Sequence, residues 1–414
     1  MSTMSNGTDT QLSGERVACL DAYRGFVILM MIWVNYIGEM PGIPDWLRHA
    51  TADQDTFTIP DLVFPGFLFM VGLAMPLALG RRLAQGTPSS SLISKILWRS
   101  LGLILAGVVM VNGDRYDEAA SLLPRTWFFL LFYVSLAIIW LQGDGKRGFR
   151  FWAGMALLLF LMVSFRGTVN DEFKTPYLQH SWWGILGLIG WAYLAGSLLY
   201  LSVKGSATAL MGLTAFLLAV FMGGAKGRLD FLPSGLTDLV GIGELGSTTA
   251  NVLAGAVVGS LFLPAAPGSA ETSPHARRVK FMLFFSLGLI AAALLLRPYN
   301  PISKIYATET FTLVTVGINL AMFTVFYILM DVLRLRAWAA FLVPVGTNAL
   351  LAYILPDFWN MLMRAIHLEG AWWRYGWHYL AGGGMAGLAN AACVSLFMVF
   401  LTYLGTKAGL RLKL

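Results

Sequence analysis

The stretch Leu62-Val63-Phe64-Pro65-Gly66-Phe67-Leu68-Phe69-Met70-Val71-Gly72-Leu73-Ala74-Met75-Pro76-Leu77-Ala78-Leu79-Gly80 carries no charge from end to end, and it lies between Asp61 and the pair Arg81-Arg82. As an α-helix rising 1.5 Å per residue it would be about 28 Å long, close to the thickness of a bilayer's hydrocarbon core. Comparable apolar runs recur along the chain, at about 20–38, 61–80, 95–112, 124–141, 151–165, 181–203, 207–223, 247–264, 279–296, 310–331, 338–356 and 380–405. The run at 151–165 is short and the one at 232–243 is polar, so the count lies between ten and thirteen. The expected fold is all-α: a polytopic transmembrane helix bundle of about twelve spans. It would follow a polar tail at 1–17 and fill 18–414 as one domain, because no loop between the runs is long enough for a second.

Composition agrees. Of 414 residues, 57% are hydrophobic and 12% charged, against roughly 25% charged in soluble domains. A mean hydropathy of +0.67 spreads that excess over the whole chain. A secreted enzyme, a disordered scaffold and a nucleic-acid-binding domain are excluded. The two cysteines, Cys19 and Cys393, have no metal-ligand spacing and suggest no disulfide framework. Residues 1–17 hold one basic residue, Arg16, and the first run lacks a small-residue cleavage site, so it reads as a retained helix and not a signal peptide.

Lys and Arg orient the bundle. With the N-terminus in the cytoplasm, inner segments hold 17 basic residues, outer segments 11, and Arg24 lies inside the first span. Both termini are therefore expected in the cytoplasm.

Ionisable groups inside spans are costly, about 2.5–3.5 kcal/mol each on insertion scales, and so mark function or a buried pair. Leu20-Asp21-Ala22-Tyr23-Arg24-Gly25 puts Asp21 and Arg24 three apart on one helical face. They are either a self-satisfied anchor or an anion site in which Asp21 holds the Arg24 rotamer. Asn35 ends the first run, as a cap or as an amide donor. The acidic loop that follows, with Asp45, Asp53 and Asp55, holds His49, and Asp61 opens the second run where a helix cap would sit.

These residues carry a resemblance. Leu20-Asp21-Ala22-Tyr23-Arg24-Gly25, Val34-Asn35, His49-Ala50, Asp61-Leu62-Val63-Phe64-Pro65 and Phe69-Met70-Val71-Gly72 resemble the heparan-α-glucosaminide N-acetyltransferase family of the transmembrane acyltransferase superfamily. Lys95-Ile96-Leu97-Trp98-Arg99-Ser100 is similar to its third core helix. Asn300-Pro301-Ile302-Ser303-Lys304 is similar to its Pro-x-Asn-Lys loop, and Gly346-Thr347-Asn348-Ala349-Leu350-Leu351-Ala352-Tyr353 to its Gly-x-Asn-Ser-x-x-x-Tyr helix. The segment from His49 to Asp61 is about two residues longer than the family's, and Ser181-Trp182-Trp183-Gly184-Ile185-Leu186-Gly187 has no counterpart in its core. The chain thus resembles a divergent bacterial branch.

The resemblance implies a multi-pass enzyme of the bacterial inner membrane. Acetyl-CoA on the cytoplasmic side would be the acyl donor, and an amino sugar or glycan on the far side the acceptor. No metal is implied, and the assembly is left between monomer and homodimer. Arg24 with Asp21 would hold the CoA. Arg99, Arg81 and Arg82 are candidates for its phosphates, with plain positive-inside topology as the other reading of Arg81 and Arg82. His49 corresponds to the catalytic histidine, as a general base or as a covalent acetyl carrier. Asn35 would donate to the oxyanion and Asp61 would orient the imidazole or cap its helix. Lys304 and Asn348 would face the acceptor, where Lys304 binds an acidic sugar or snorkels to the interface. His180, His275, His367 and His378 sit in no motif, and Trp182, Trp183, Trp372, Trp373 and Trp377 read as an interfacial belt, with sugar stacking as the other reading. Rival readings are a transporter of an amino sugar or glycan fragment and an assembly subunit of an envelope-polysaccharide system. Neither needs a CoA site.

Overall fold

The structure, a computed structural model, describes residues 18–38, 40–141, 148–170, 173–179, 183–228, 231, 242–263, 274–368 and 383–412. The tail at 1–17, His180, His378, Trp182, Trp372, Trp373 and Trp377 lie outside the described residues. Among the described residues the apolar runs fall on twelve helices, the run at 338–356 only in part: α1 (Ala18–Ile37), α2 (Pro60–Ala84), α3 (Ser89–Val111), α4 (Arg125–Trp140), α5 (Phe149–Ser164), α6 (Gly184–Ser202), α7 (Ala207–Ala225), α8 (Ile242–Ser260), α9 (Pro274–Leu296), α10 (Glu309–Val332), α11 (Ala349–Ala365) and α12 (Gly384–Lys407). Between the described residues only two isolated β-bridges form, so the protein is all-α.

Eight of these helices, α1, α2, α3, α6, α7, α9, α10 and α12, are long and apolar enough to cross a membrane, which makes this a multi-pass membrane protein. The expected number of about twelve exceeds that. Helices α4 and α5 have 16 residues each, about 24 Å at 1.5 Å per residue. The apolar character of α8 is diluted by Glu244, Ser247, Thr248, Thr249 and Asn251, and α11 is the shortened remainder of a run broken at Asn348.

Helix α2 lies at the centre. Its side chains enter both large apolar clusters, one shared with α1, α10 and α12 and the other with α3, α4, α6 and α8. Small residues let its backbone meet that of α8. A Cβ at Gly72 would stand 1.8 Å from Val252 O, and one at Gly255 2.2 Å from Phe69 O. At such a crossing the helices pack backbone to backbone and their rotation about their own axes is fixed. Helix α1 meets the single turn Val343–Thr347 in the same way, where a Cβ at Gly346 would stand 1.8 Å from Asp21 O. Pro76 has no N–H to give the helical ladder, and α2 widens into a π turn at Pro76–Gly80 before ending at Arg81–Ala84.

One buried polar node ties the start of α2 to α1 and α10. Tyr23 Oη donates to Asn319 Oδ1 at 2.8 Å, and Asn319 Nδ2 donates to Leu62 O at 3.2 Å and Thr315 O at 2.8 Å. Hydrogen bonds between buried polar groups are specific in direction, so Leu62, and with it Asp61, has a set position.

Candidate active site

The loop between α1 and α2 is held at several points. Ile43 and Leu47 are buried against Ile37 of α1 and Ala391 of α12. Gly384 N–H donates to Pro41 O, Arg48 Nη2 to Met40 O, and Ile59 N–H to Trp46 O. These contacts bring His49 back over the first residues of α2. His49 Nδ1 lies 2.7 Å from Asp61 Oδ1. Asp61 is fully buried, and its other oxygen accepts from Ala50 N–H (3.1 Å), Thr58 N–H (3.1 Å) and the Thr58 hydroxyl (2.9 Å). Of the two roles open to Asp61, the geometry is that of a carboxylate holding an imidazole. It caps no helix, and the N-cap position belongs to Ile59.

Lys304 reaches the same point from the loop between α9 and α10. Its Nζ is 2.8 Å from His49 Nδ1 and 3.3 Å from Asp61 Oδ1. Burial pulls its ammonium below the usual lysine value, while Asp61 pulls the other way. His49 Nδ1 either donates to Asp61 or accepts from Lys304. Both engage Nδ1 and leave Nε2 without a partner among the described residues. The carboxylate can only accept, so it favours the tautomer with the proton on Nδ1 and a lone pair on Nε2.

The loop that carries Lys304 is built by Thr308, which caps α10 by accepting from Phe311 N–H, accepts from Ser303 N–H, and donates to Pro301 O. It is clamped to the histidine loop by Asp55. Ile302 N–H donates to Asp55 Oδ1 (2.7 Å), Arg297 Nε to Asp55 Oδ2 (2.9 Å) and Arg297 Nη2 to Asp55 O (2.9 Å). The Ile302 N–H and then Arg297 hold the Asp55 carboxyl below its usual value. A carboxylate depressed in the fold adds stability above its unfolded value, about 3.9, and loses that contribution as pH falls through the lower folded value. Amide-exchange protection at Ile302 should therefore persist down to about pH 4 and fall below it, and Asp55→Ala should remove it at neutral pH. Full protection in Asp55→Ala would rule out the clamp.

His49, Lys304 and Asn35 line one cavity of about 380 Å3 with Val63, Phe64 and Leu68 of α2 and Ile185 and Leu188 of α6. Asn35 is exposed to it and has no hydrogen bond to a described residue. A second cavity, of about 270 Å3, is lined by Arg24, Arg99 and Tyr193, by Phe67, Met70 and Leu79 of α2, and by Gly346 and Thr347. The two follow one another along α1, α2 and α6. On α1 the step from Arg24 to Asn35 is eleven residues, about 16 Å.

In the second cavity Arg24 Nη1 is 3.5 Å from Asp21 Oδ1 and donates to Gly346 O at 3.0 Å. Arg99 differs. Its guanidinium stands 4.6 Å over the Tyr193 ring, its Nε is buried with no partner, and it makes no ion pair with a described residue. A cation so placed fits an anionic ligand. Arg81 and Arg82 lie at the far end of α2 and do not line this cavity.

Asn348, expected beside Lys304, lies instead at the Arg24 end of the bundle. It is buried, donates through Nδ2 to Thr406 Oγ1 (3.0 Å) and Leu410 O (2.6 Å), and accepts from Leu412 N–H (3.1 Å). The helix breaks there, and its amide satisfies backbone groups of the segment after α12. Of the histidines outside motifs, His275 is 2.7 Å from Tyr327 Oη and lines neither cavity, and His367 follows the end of α11. Sequence reasoning missed Asp55 as the clamp, and it missed Ser247, Thr248 and Asn251 of α8, which also line the His49 cavity. Their signal was three polar residues at helical spacing in an apolar run.

A sequence model described as heparan-alpha-glucosaminide N-acetyltransferase, catalytic, matches residues 16–178. The protein of that name from Mus musculus is 37% identical over 100 residues, which is 24% of this chain and 14% of the mouse protein. The one from Homo sapiens is 36% identical over 97 residues, 23% of this chain and 14% of the human protein. The matched segment thus spans about one seventh of either relative's length. Residues 16–178 hold Asp21, Arg24, Asn35, His49, Asp61 and Arg99, and over this segment the chain is similar to the heparan-alpha-glucosaminide N-acetyltransferase catalytic family.

Proposed function

We propose that the protein is a membrane acyltransferase that moves an acetyl group from acetyl-CoA to an amino sugar or glycan. The observation that carries this is the His49–Asp61 pair at the mouth of a cavity, followed along the same helices by a second cavity with two arginines; these four residues lie within the segment similar to the acetyltransferase family. When bound, acetyl-CoA supplies an acyl thioester. Arg24 and Arg99 hold its phosphates, guanidinium groups matching phosphate oxygens in pairs. Nε2 of His49 takes the proton from the attacking amine as the C–N bond forms, and returns it to the leaving thiolate as the C–S bond breaks. Asp61 keeps the other ring proton on Nδ1 and stabilises the imidazolium. The Asn35 amide donates to the oxyanion that develops on the carbonyl.

Lys304 acts in this reading as the cation that balances Asp61 and edges the acceptor side. The Arg24 end faces the cytoplasm, in keeping with 17 of the 28 basic residues outside the first span, and the His49 end faces the periplasm of a bacterial inner membrane.

The test is direct. Purified protein should be stabilised against heat by CoA and acetyl-CoA, by about 2.7 kcal/mol at a hundred times the dissociation constant. Membranes given labelled acetyl-CoA and a panel of amino sugars should acetylate at least one. Absence of both results would leave the transporter reading.

A further inference from the structure

Helix α8 lies outside the family segment, yet it forms one wall of the His49 cavity. Its rotation is fixed by the crossing with α2, where Gly255 leaves no room for a Cβ beside Phe69 O and Gly72 none beside Val252 O. Asn251 is four residues before Gly255, so it lies on the same face one turn nearer His49. Ser247 and Thr248 continue that stripe. Two of the three side chains are satisfied within the protein. The Ser247 hydroxyl pairs with that of Thr312, and the Thr248 hydroxyl donates to Leu245 O.

Asn251 differs from them. The residue is 3% exposed, it lines the cavity, and its Oδ1 is buried without a hydrogen-bond partner. Buried polar atoms in native proteins are nearly always paired, and one that is not needs a reason. Among the described residues, no side chain or backbone group packed against α8 donates to it.

We infer that Asn251 Oδ1 is the acceptor for an N–H group of a ligand in the His49 cavity, so that α8 forms the binding wall opposite the imidazole. This rests on the acyltransferase reading. Two reactants bring an N–H group there: the acyl donor, through the amide nearest its thioester, and the acceptor, through its amine. A carboxamide oxygen suits both. It is neutral and a poor nucleophile, so it does not compete with the amine for the acyl carbon, and it adds no charge beside Asp61.

The test uses the full chain in detergent with Asn251→Leu and Asn251→Ala. The alanine variant only removes atoms and carries the test if leucine does not fit. Three quantities are read: the melting temperature without ligand, the CoA affinity from the thermal shift with added CoA, and the KM for glucosamine in acetyl transfer. Without ligand the leucine variant should melt at the wild-type temperature or above, because an unpaired acceptor has been removed. One affinity should fall by up to about tenfold, the worth of a single hydrogen bond. A fall in CoA affinity assigns the N–H to the donor arm, and a rise in KM for glucosamine assigns it to the acceptor. Both affinities within twofold of wild type would overturn the inference while wild-type transfer keeps the acyltransferase reading. A wild-type protein that neither binds CoA nor transfers acetyl overturns both.

Discussion

Replacing His49 by alanine should lower acetyl transfer about a hundredfold or more and leave CoA affinity within twofold of wild type. A positioned general base is worth roughly 10² to 10⁴ in rate. His49 is positioned on one side by Asp61 at 2.7 Å, and Asp61 is in turn held by Ala50 and Thr58. CoA affinity should survive because both arginines line the other cavity, in which Arg24 is about 16 Å along α1 from Asn35 of the His49 cavity. A companion variant, Asp61→Asn, separates holding the ring from doing the chemistry. An amide can donate to Nδ1, which would move the ring proton to Nε2 and remove the base without emptying the site. Its rate should fall nearly as far as that of His49→Ala. If His49 is a covalent acetyl carrier, wild type given labelled acetyl-CoA without acceptor retains label, and His49→Ala does not. Wild-type rates in His49→Ala would end both roles and make Asp61 the next candidate.

Replacing Arg99 by alanine should weaken CoA binding by about tenfold to a hundredfold, since hydrogen bonds to a charged group contribute roughly 1.5–3 kcal/mol. Arg99 is chosen over Arg24 for a structural reason. The Arg24 guanidinium already meets Asp21 and the Gly346 carbonyl, so Arg24→Ala also disturbs the contact between α1 and the turn at Gly346. The Arg99 Nε has no partner to lose. Arg99→Lys should restore little, because an ammonium lacks the planar fork and the stacking on Tyr193. The acceptor KM should stay at the wild-type value. An unchanged CoA affinity in a folded Arg99→Ala protein would remove the phosphate role.

The sequence alone sufficed for most of the helices and for marking the candidate residues nearest them. A charge-free run such as 62–80 has one low-energy form in a lipid environment, because only a helix satisfies its own backbone. Among the described residues eleven apolar runs accordingly coincide with one helix each and the run at 338–356 is split at Asn348, and His49, Asp61, Arg24 and Asn35 stood out as candidates because they fall within one short stretch of a familiar pattern. The number of spans was less legible. Apolarity does not fix length, and α4, α5, α8 and α11 are shorter or more polar than the eight helices with the dimensions of a crossing segment.

What joins distant parts of the chain was decided by tertiary structure. Lys304 meets His49 across 255 positions of sequence, where the Asp55 clamp joins the two loops. Asn348 carries a motif that points toward the acceptor, yet the break before α11 turns it to the end of α12. Asn251 and Arg99 are ordinary polar residues in apolar runs until the rotation of their helices aims them into cavities. That rotation follows from contacts such as Gly72 on Val252 and Gly255 on Phe69. Helix formation is encoded locally, residue by residue and turn by turn, whereas the facing of one helix toward another depends on the shapes of both surfaces together.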